Sequence, residues 1–267
     1  MPDSLSAALA TLRRRYGPQA LRRGDQQEAA ERWPTGIPIL DGVLMPGGLP
    51  RGRITVIAAS SSRGPSGRLT LLQSLAALAS RSRDVGYVDL AGTLDPGFLA
   101  DLGADLHACL VLTPGHDRWE RGLAMARTLT GAGMPWMGVA LGEQDRPRTA
   151  LWEHALAAFA ETVSKRGAVG VIAAPAPLAA PLAHASSLTL TCAAAGWQRA
   201  HGDVTGLRVR VTTTKSKVSA PGAEAMLLLR YPRPYAVAEV LGLPSVVAPA
   251  ITMVDTELMP AAAVAPG

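Results

Sequence analysis

Aromatic residues are scarce in this chain: Phe, Trp and Tyr make up 4% of its 267 residues, although 48% are hydrophobic. A core with so few rings must be packed from Ala, Leu and Val. The length suits one large α/β domain or a domain with appendages. The two cysteines, Cys109 and Cys192, both lie in apolar runs, which argues against a disulfide framework and reads as buried thiols. The five histidines are scattered without ligand spacing, so no metal site is expected. Long uninterrupted apolar runs are also missing. Residues 169–190 come nearest, and Pro175, Pro177 and Pro181 break that stretch, which argues against a membrane span. At the N-terminus the arginines follow the short apolar run, the reverse of a secretory signal, so a cytoplasmic location is expected. Excess charge is small: 26 Lys and Arg against 21 Asp and Glu, a net +5. That permits nucleic acid or an acidic partner and requires neither.

What is present is alternation. Residues 4–16 read as an amphipathic helix, with Leu5, Leu9 and Leu12 at helical spacing and Arg13, Arg14 and Arg15 at its end. A polar stretch separates it from WPTGIPILDGVLMPGGLPRGR, which is rich in Gly and Pro and reads as a structured loop. Strands are expected at 54–59, 86–90, 108–113, 136–141 and 169–174, and helices at 69–82, 120–130 and 150–165. Strands apolar along their whole length, alternating with helices, argue for a parallel sheet covered on both faces. Strands at 188–192, 207–214 and 225–230 have no helix between them and fit an antiparallel edge. The expected organisation is an N-terminal arm over 1–32, a core over 33–235 and a tail over 236–267, disordered from 259 onward.

Between the first core strand and its helix lies SSSRGPSGRLTLLQSL, residues 60–75. It has the outline of a phosphate-binding loop, which requires G-x-x-x-x-G-K-[ST] here. Gly67 fits the second glycine, but Ser62 stands at the first, Arg68 at the lysine and Leu69 at the Ser/Thr. Gly64 lies between.

Three blocks resemble bacterial RecA in matching register: PTGIPILDGVLMPGGLPRGRI (34–54), YVDLAGTLDPGFLADLGADL (87–106) and TGLRVRVTTTKSKVSAP (205–221). The resemblance runs from the N-terminal helix to about Tyr235. It implies a RecA-like P-loop core: a mainly parallel twisted sheet, helices on both faces and antiparallel strands at one edge. The departures fall on the working residues. The resemblance places the water-activating glutamate at Ala91, the Mg²⁺-holding aspartate at Ala140 and the γ-phosphate-sensing glutamine at Ala174. Phosphoryl transfer rests on positioned charge, metal ligands and an oriented water, and leucine cannot ligate Mg²⁺. Catalytic residues are therefore expected to be absent, no cofactor is required, and ATP binding without hydrolysis stays open. A RecA-like core with a degenerate S-G-R loop resembles the ImuA family, accessory proteins of SOS mutagenesis cassettes. That implies a non-catalytic role in translesion synthesis through RecA or a polymerase complex. A weak DNA-dependent ATPase or recombinase using an arginine P-loop is the alternative.

Some positions keep two readings. Arg68 either grips an anion at the helix N-terminus or caps the loop and faces water. Lys215 and Lys217 alternate on a strand and share a face. The resemblance makes them a subunit-interface pair, and otherwise they are solvated lysines. A protomer with that face preserved and its own ATP site lost would cap a RecA filament, because heterologous contacts propagate only when both faces work. Arg13, Arg14 and Arg15 belong either to a docking arm or to a helix packed on its own core. For DNA, Arg146 and Arg148 match the first DNA loop, while the second, 175–187, has no lysine or arginine. Weak or partner-dependent DNA binding follows. Asp89 and Asp95 match structural positions of the family.

Overall fold

The computed structural model describes residues 2–16, 31–115, 118–143, 149–217, 221–231 and 239–243. In chain order the elements are α1 (Pro2–Tyr16), β1 (Arg32–Trp33), β2 (Leu49–Pro50), β3 (Arg53–Ala59), α2 (Arg68–Ser80), β4 (Val85–Asp89), α3 (Pro96–Asp101), β5 (Cys109–Leu112), α4 (Trp119–Gly131), β6 (Trp136–Ala140), α5 (Thr149–Arg166), β7 (Val169–Ala174), α6 (Ala179–Ala185), β8 (Leu188–Ala200), β9 (Asp203–Ser216), β10 (Glu224–Arg230) and β11 (Glu239–Leu243). β1 and β2 form a small antiparallel ribbon. The other strands build one nine-stranded sheet in the order β11-β10-β9-β8-β3-β7-β6-β4-β5. Its β8-to-β5 half is parallel, and β8 through β11 pair antiparallel. The expected α/β class and antiparallel edge are both found.

Strand side chains alternate between faces, so the sheet divides the core into two layers. Ile57, Tyr87, Val171, Leu190, Val209 and Leu227 pack on the face of α2, against Leu71, Leu72 and Leu75. Ile54, Val56, Val88, Val139 and Ile172 pack on the opposite face, against Leu123, Ala126, Leu156, Phe159 and Val163 from α4 and α5. The few rings sit where they fill most volume. Trp119 and Trp152 meet edge to face between α4 and α5, centroids 6.4 Å apart. Burying the β-branched and aliphatic surface of both layers is what holds the parallel strands together.

Ahead of β3, the Pro-Thr-Gly and Leu-Asp residues form one knot. The Asp41 carboxylate accepts from the Thr35 hydroxyl at 2.7 Å and from the Thr35 and Gly36 amides at 3.0 and 3.1 Å. Asp95 caps α3 by accepting from the Gly97 amide at 2.8 Å, with Pro96 in the first turn.

Three expectations are corrected. Residues 175–187, read as a shortened loop, fold instead as a 3₁₀ turn (Ala176–Leu178) and α6. Pro181 is tolerated because it lies in the first turn of α6, where amides need no intrahelical acceptor. The antiparallel strands are longer than read: β8 and β9 run on past the apolar segments into an exposed hairpin through His201 and Gly202. The sheet also continues past residue 235, since β11 pairs with β10 inside the stretch expected as a tail. Residues 259–267 lie outside the described residues. Among the described residues no helix is long and apolar enough to cross a membrane.

Candidate functional site

β3 ends on the apolar run Val56–Ala59, and the Ser60 amide donates to the Cys192 carbonyl of neighbouring β8 at 2.9 Å. From there the chain leaves the sheet through the Gly-containing loop and re-enters order at α2. Ser62 and Gly64 are exposed. Gly64 and Gly67 both have left-handed φ, near +76° and +77°. Gly67 is the N-cap of α2 and carries no side-chain cap, while the Ser66 hydroxyl accepts weakly from the Arg68 amide at 3.4 Å. A Cβ on Gly67 would stand 2.6 Å from Leu229 Cδ1 and 2.7 Å from Val209 Cγ2. A Cβ on Gly64 meets nothing within 4 Å. Gly67 is thus fixed by packing under β9 and β10, independent of any phosphate.

Arg68 does not face water. Its side chain is 3% exposed, and its Nε and Nη1 find no hydrogen-bond partner among the described residues. Among the described residues only Nη2 approaches a counter-charge, the Glu143 Oε1 at 3.6 Å. Burial pushes the guanidinium below its usual range, with Glu143 opposing that shift. Tyr87 and Cys192 are its buried neighbours. Burial, with a smaller contribution from Asp89, drives the Tyr87 phenol above its ordinary value. Burial pushes the Cys192 thiol up to about 12, against the pull of Arg68. Outside, a cavity of about 220 Å³ is lined by the loop, Glu143, Leu207 and Tyr231. Trp197, 47% exposed, stands beside Tyr231 with ring centroids 6.3 Å apart.

The positions matched to catalytic groups are apolar and packed. Ala140 and Ala174 are fully buried, one in each core layer, and Ala91 and Leu69 lie half-buried against the α2 layer. Asp89, at the end of β4, spends its carboxylate on its own loop, accepting from the Ala91, Gly92 and Leu94 amides at 3.1, 2.9 and 3.0 Å.

Lys215 is half-buried at the end of β9. Its ammonium donates to the Ala183 carbonyl and, at 3.1 Å, to the Ser186 carbonyl, at the C-terminus of α6. Lys217 is exposed just beyond the strand, its amide donating to the Ser187 carbonyl at 2.8 Å. Lys215 is thus drawn onto the end of α6, and Lys217 lies exposed past the strand. In α1 the side chains of Arg14 and Arg15 are exposed, and Leu12 is 40% exposed. Arg13 belongs to α1 by its backbone. Arg146 and Arg148 lie outside the described residues. Trp152, four residues past Arg148, is buried within α5.

Glu143 is absent from the residues that the sequence pattern singles out. The signal was an acidic residue three positions past the end of an apolar strand, at the C-terminal ends of the parallel strands, where the loop also sits. Nothing in the local sequence pointed to Trp197, in β8, and Tyr231, the residue after β10.

Residues 3–137 match the family model described as the RecA N-terminal domain, half of the chain. Protein RecA of Paenarthrobacter aurescens is 38% identical over 133 residues, covering 49% of this chain and 37% of that protein. Protein RecA of Xanthomonas axonopodis pv. citri is 36% identical over 133 residues, with 49% and 37% covered. That of Herpetosiphon aurantiacus is 35% identical over 132 residues, with 49% and 36% covered. The matched segment spans about a third of the length of these curated relatives. A crystal structure of the RadB recombinase superposes with a TM-score of 0.56 at 16% identity, over 73% of this chain and 94% of that one. At that identity the likeness is one of fold.

Proposed function

This chain belongs to the RecA N-terminal domain family, and from that membership we propose that it is a non-catalytic RecA-fold accessory protein of DNA-damage-induced mutagenesis. In this reading it works by docking on RecA or on a translesion polymerase complex and so interrupts or caps RecA filaments. The observation that carries it is the state of the loop. The residue at the P-loop lysine is a buried arginine already facing an acidic neighbour. An ammonium point charge and a guanidinium fork are not interchangeable at a phosphate. Leu69 offers Mg²⁺ no oxygen, and Ala140 and Ala174 are enclosed in the core layers. The donor set does not fit a Mg²⁺–nucleotide, and no catalytic step is assigned to it.

The partner face is read from what the surface presents. α1 offers a largely exposed helix with Arg14 and Arg15, and Lys217 is exposed near β9. Weak or partner-dependent DNA binding fits α6, whose sequence AAPLAHA brings no lysine or arginine to phosphate.

The competing reading, a weak DNA-dependent ATPase with an arginine loop, has one observation in its favour: Glu143 brings a carboxylate to the loop. Titrating the protein into RecA filaments on single-stranded DNA separates the two. The accessory reading expects RecA's ATP turnover to fall at substoichiometric amounts of this protein. Unchanged turnover at equimolar protein counts against it.

A further inference from the structure

Glu143 has a place in the site that the reading of a dead loop does not explain. Arg68 and the start of α2 set two positive features at one point: a guanidinium with buried, unpartnered Nε and Nη1, and the positive end of a helix. A desolvated cation in that position is costly unless an anion answers it. Among the described residues the one carboxylate lining the cavity there is Glu143, which reaches Arg68 from the segment following β6. Its side chain is 57% exposed and its oxygen stands at 3.6 Å, beyond good hydrogen-bond range, so the attraction is one of charge and the carboxylate is free to turn into solvent.

We propose that Glu143 is the residue that sets what this loop accepts: its carboxylate serves as the built-in anion of Arg68 and turns phosphate-bearing ligands away from the cavity. An incoming phosphate meets a like charge at the cavity mouth and must displace it before reaching Arg68. The 220 Å³ space is large enough for a small oxoanion, so charge rather than volume makes the exclusion. The loop is then a former phosphate site refilled from within its own chain. This inference rests on the reading of the loop as non-catalytic and adds a reason why ligand does not enter it.

The test uses inorganic phosphate as the probe and thermal unfolding as the readout, at matched ionic strength with chloride as control. Glu143→Gln keeps the shape of an exposed side chain and removes its charge, so the fold is retained. The wild-type chain is expected to shift by less than about 1 °C at 10 mM phosphate, and Glu143→Gln to rise by about 3 °C. Adding Arg68→Met to Glu143→Gln is expected to abolish the gain. A wild-type rise equal to that of Glu143→Gln would overturn the proposal, as would a Glu143→Gln chain that does not respond. A gain that persists without Arg68 would overturn it too, by placing the phosphate elsewhere. None of these outcomes involves ATP turnover, so this inference and the non-catalytic reading fail separately.

Discussion

Lys215, at the end of β9, closes the C-terminus of α6 by donating to the carbonyls of Ala183 and Ser186. A cation at a helix C-terminus satisfies carbonyls that lack intrahelical donors and is favoured by the helix dipole. The lysine pair is therefore divided in labour. Lys215→Met is expected to destabilise the protein by about 1–2 kcal/mol and to speed amide exchange in 182–187. Lys217→Ala is expected to stay within about 0.5 kcal/mol of wild type. Urea unfolding with hydrogen exchange reads both. For that reason Lys217→Ala, rather than the double substitution, is the clean probe of an interface. Loss of RecA binding in a folded Lys217→Ala chain would assign that face to the partner.

The two loop glycines have different reasons to be glycine, and substitution separates them. Gly64→Ala pays only for left-handed backbone, about 1 kcal/mol. Gly67→Ala adds the collision with Leu229 and Val209 and is expected to cost about 3 kcal/mol or more. Equal midpoints in urea would show that the packing under β9 yields more easily than described.

Cys192 links stability to alkaline pH. Its thiol is raised on folding to about 12 by burial, so the folded state holds the proton more tightly than the unfolded chain. The stability this confers is full below the ordinary thiol range, near pH ~8.5. It is lost as pH climbs from there toward about 12. Tyr87 is raised in the same direction by burial and adds to the same alkaline loss. Cys192→Ala is expected to flatten the pH dependence of the unfolding midpoint above pH 9. In native protein a thiol reagent should label half-buried Cys109 and reach Cys192 only on unfolding.

The packing around Ala140 makes a fourth prediction. Restoring the family's aspartate there would bury a carboxylate among apolar neighbours on the α2 layer. Ala140→Asp is expected to lose about 3 kcal/mol or more without any gain in turnover. A folded Ala140→Asp chain that hydrolyses ATP would mean that the other departures, Arg68, Leu69, Ala91 and Ala174, do not by themselves prevent turnover.

Much of the fold was legible because the central strands carry an apolar pattern that nothing else explains. β3, β4, β6 and β7 fall within a residue of expectation at each end. α6 was not legible, because Pro175, Pro177 and Pro181 read as breakers, and only the start of a helix forgives proline. The length of the β8–β9 hairpin was hidden as well, since Ala193 to Ala200 carries little periodic signal. At the site, the departure from the P-loop pattern stood in the sequence as Arg68 and Leu69. The burial of Arg68 and its meeting with Glu143 did not. Those residues lie on separate elements, and only the crossing order of β3, β7, β6 and β4 brings their ends together.

The measurement that bears most directly on the central claim is ATP hydrolysis by the purified chain alone, with Mg²⁺ and single-stranded DNA. The account predicts a rate indistinguishable from buffer, unchanged in Arg68→Ala. Turnover that depends on DNA and disappears in Arg68→Ala would contradict it and make the arginine loop a working site.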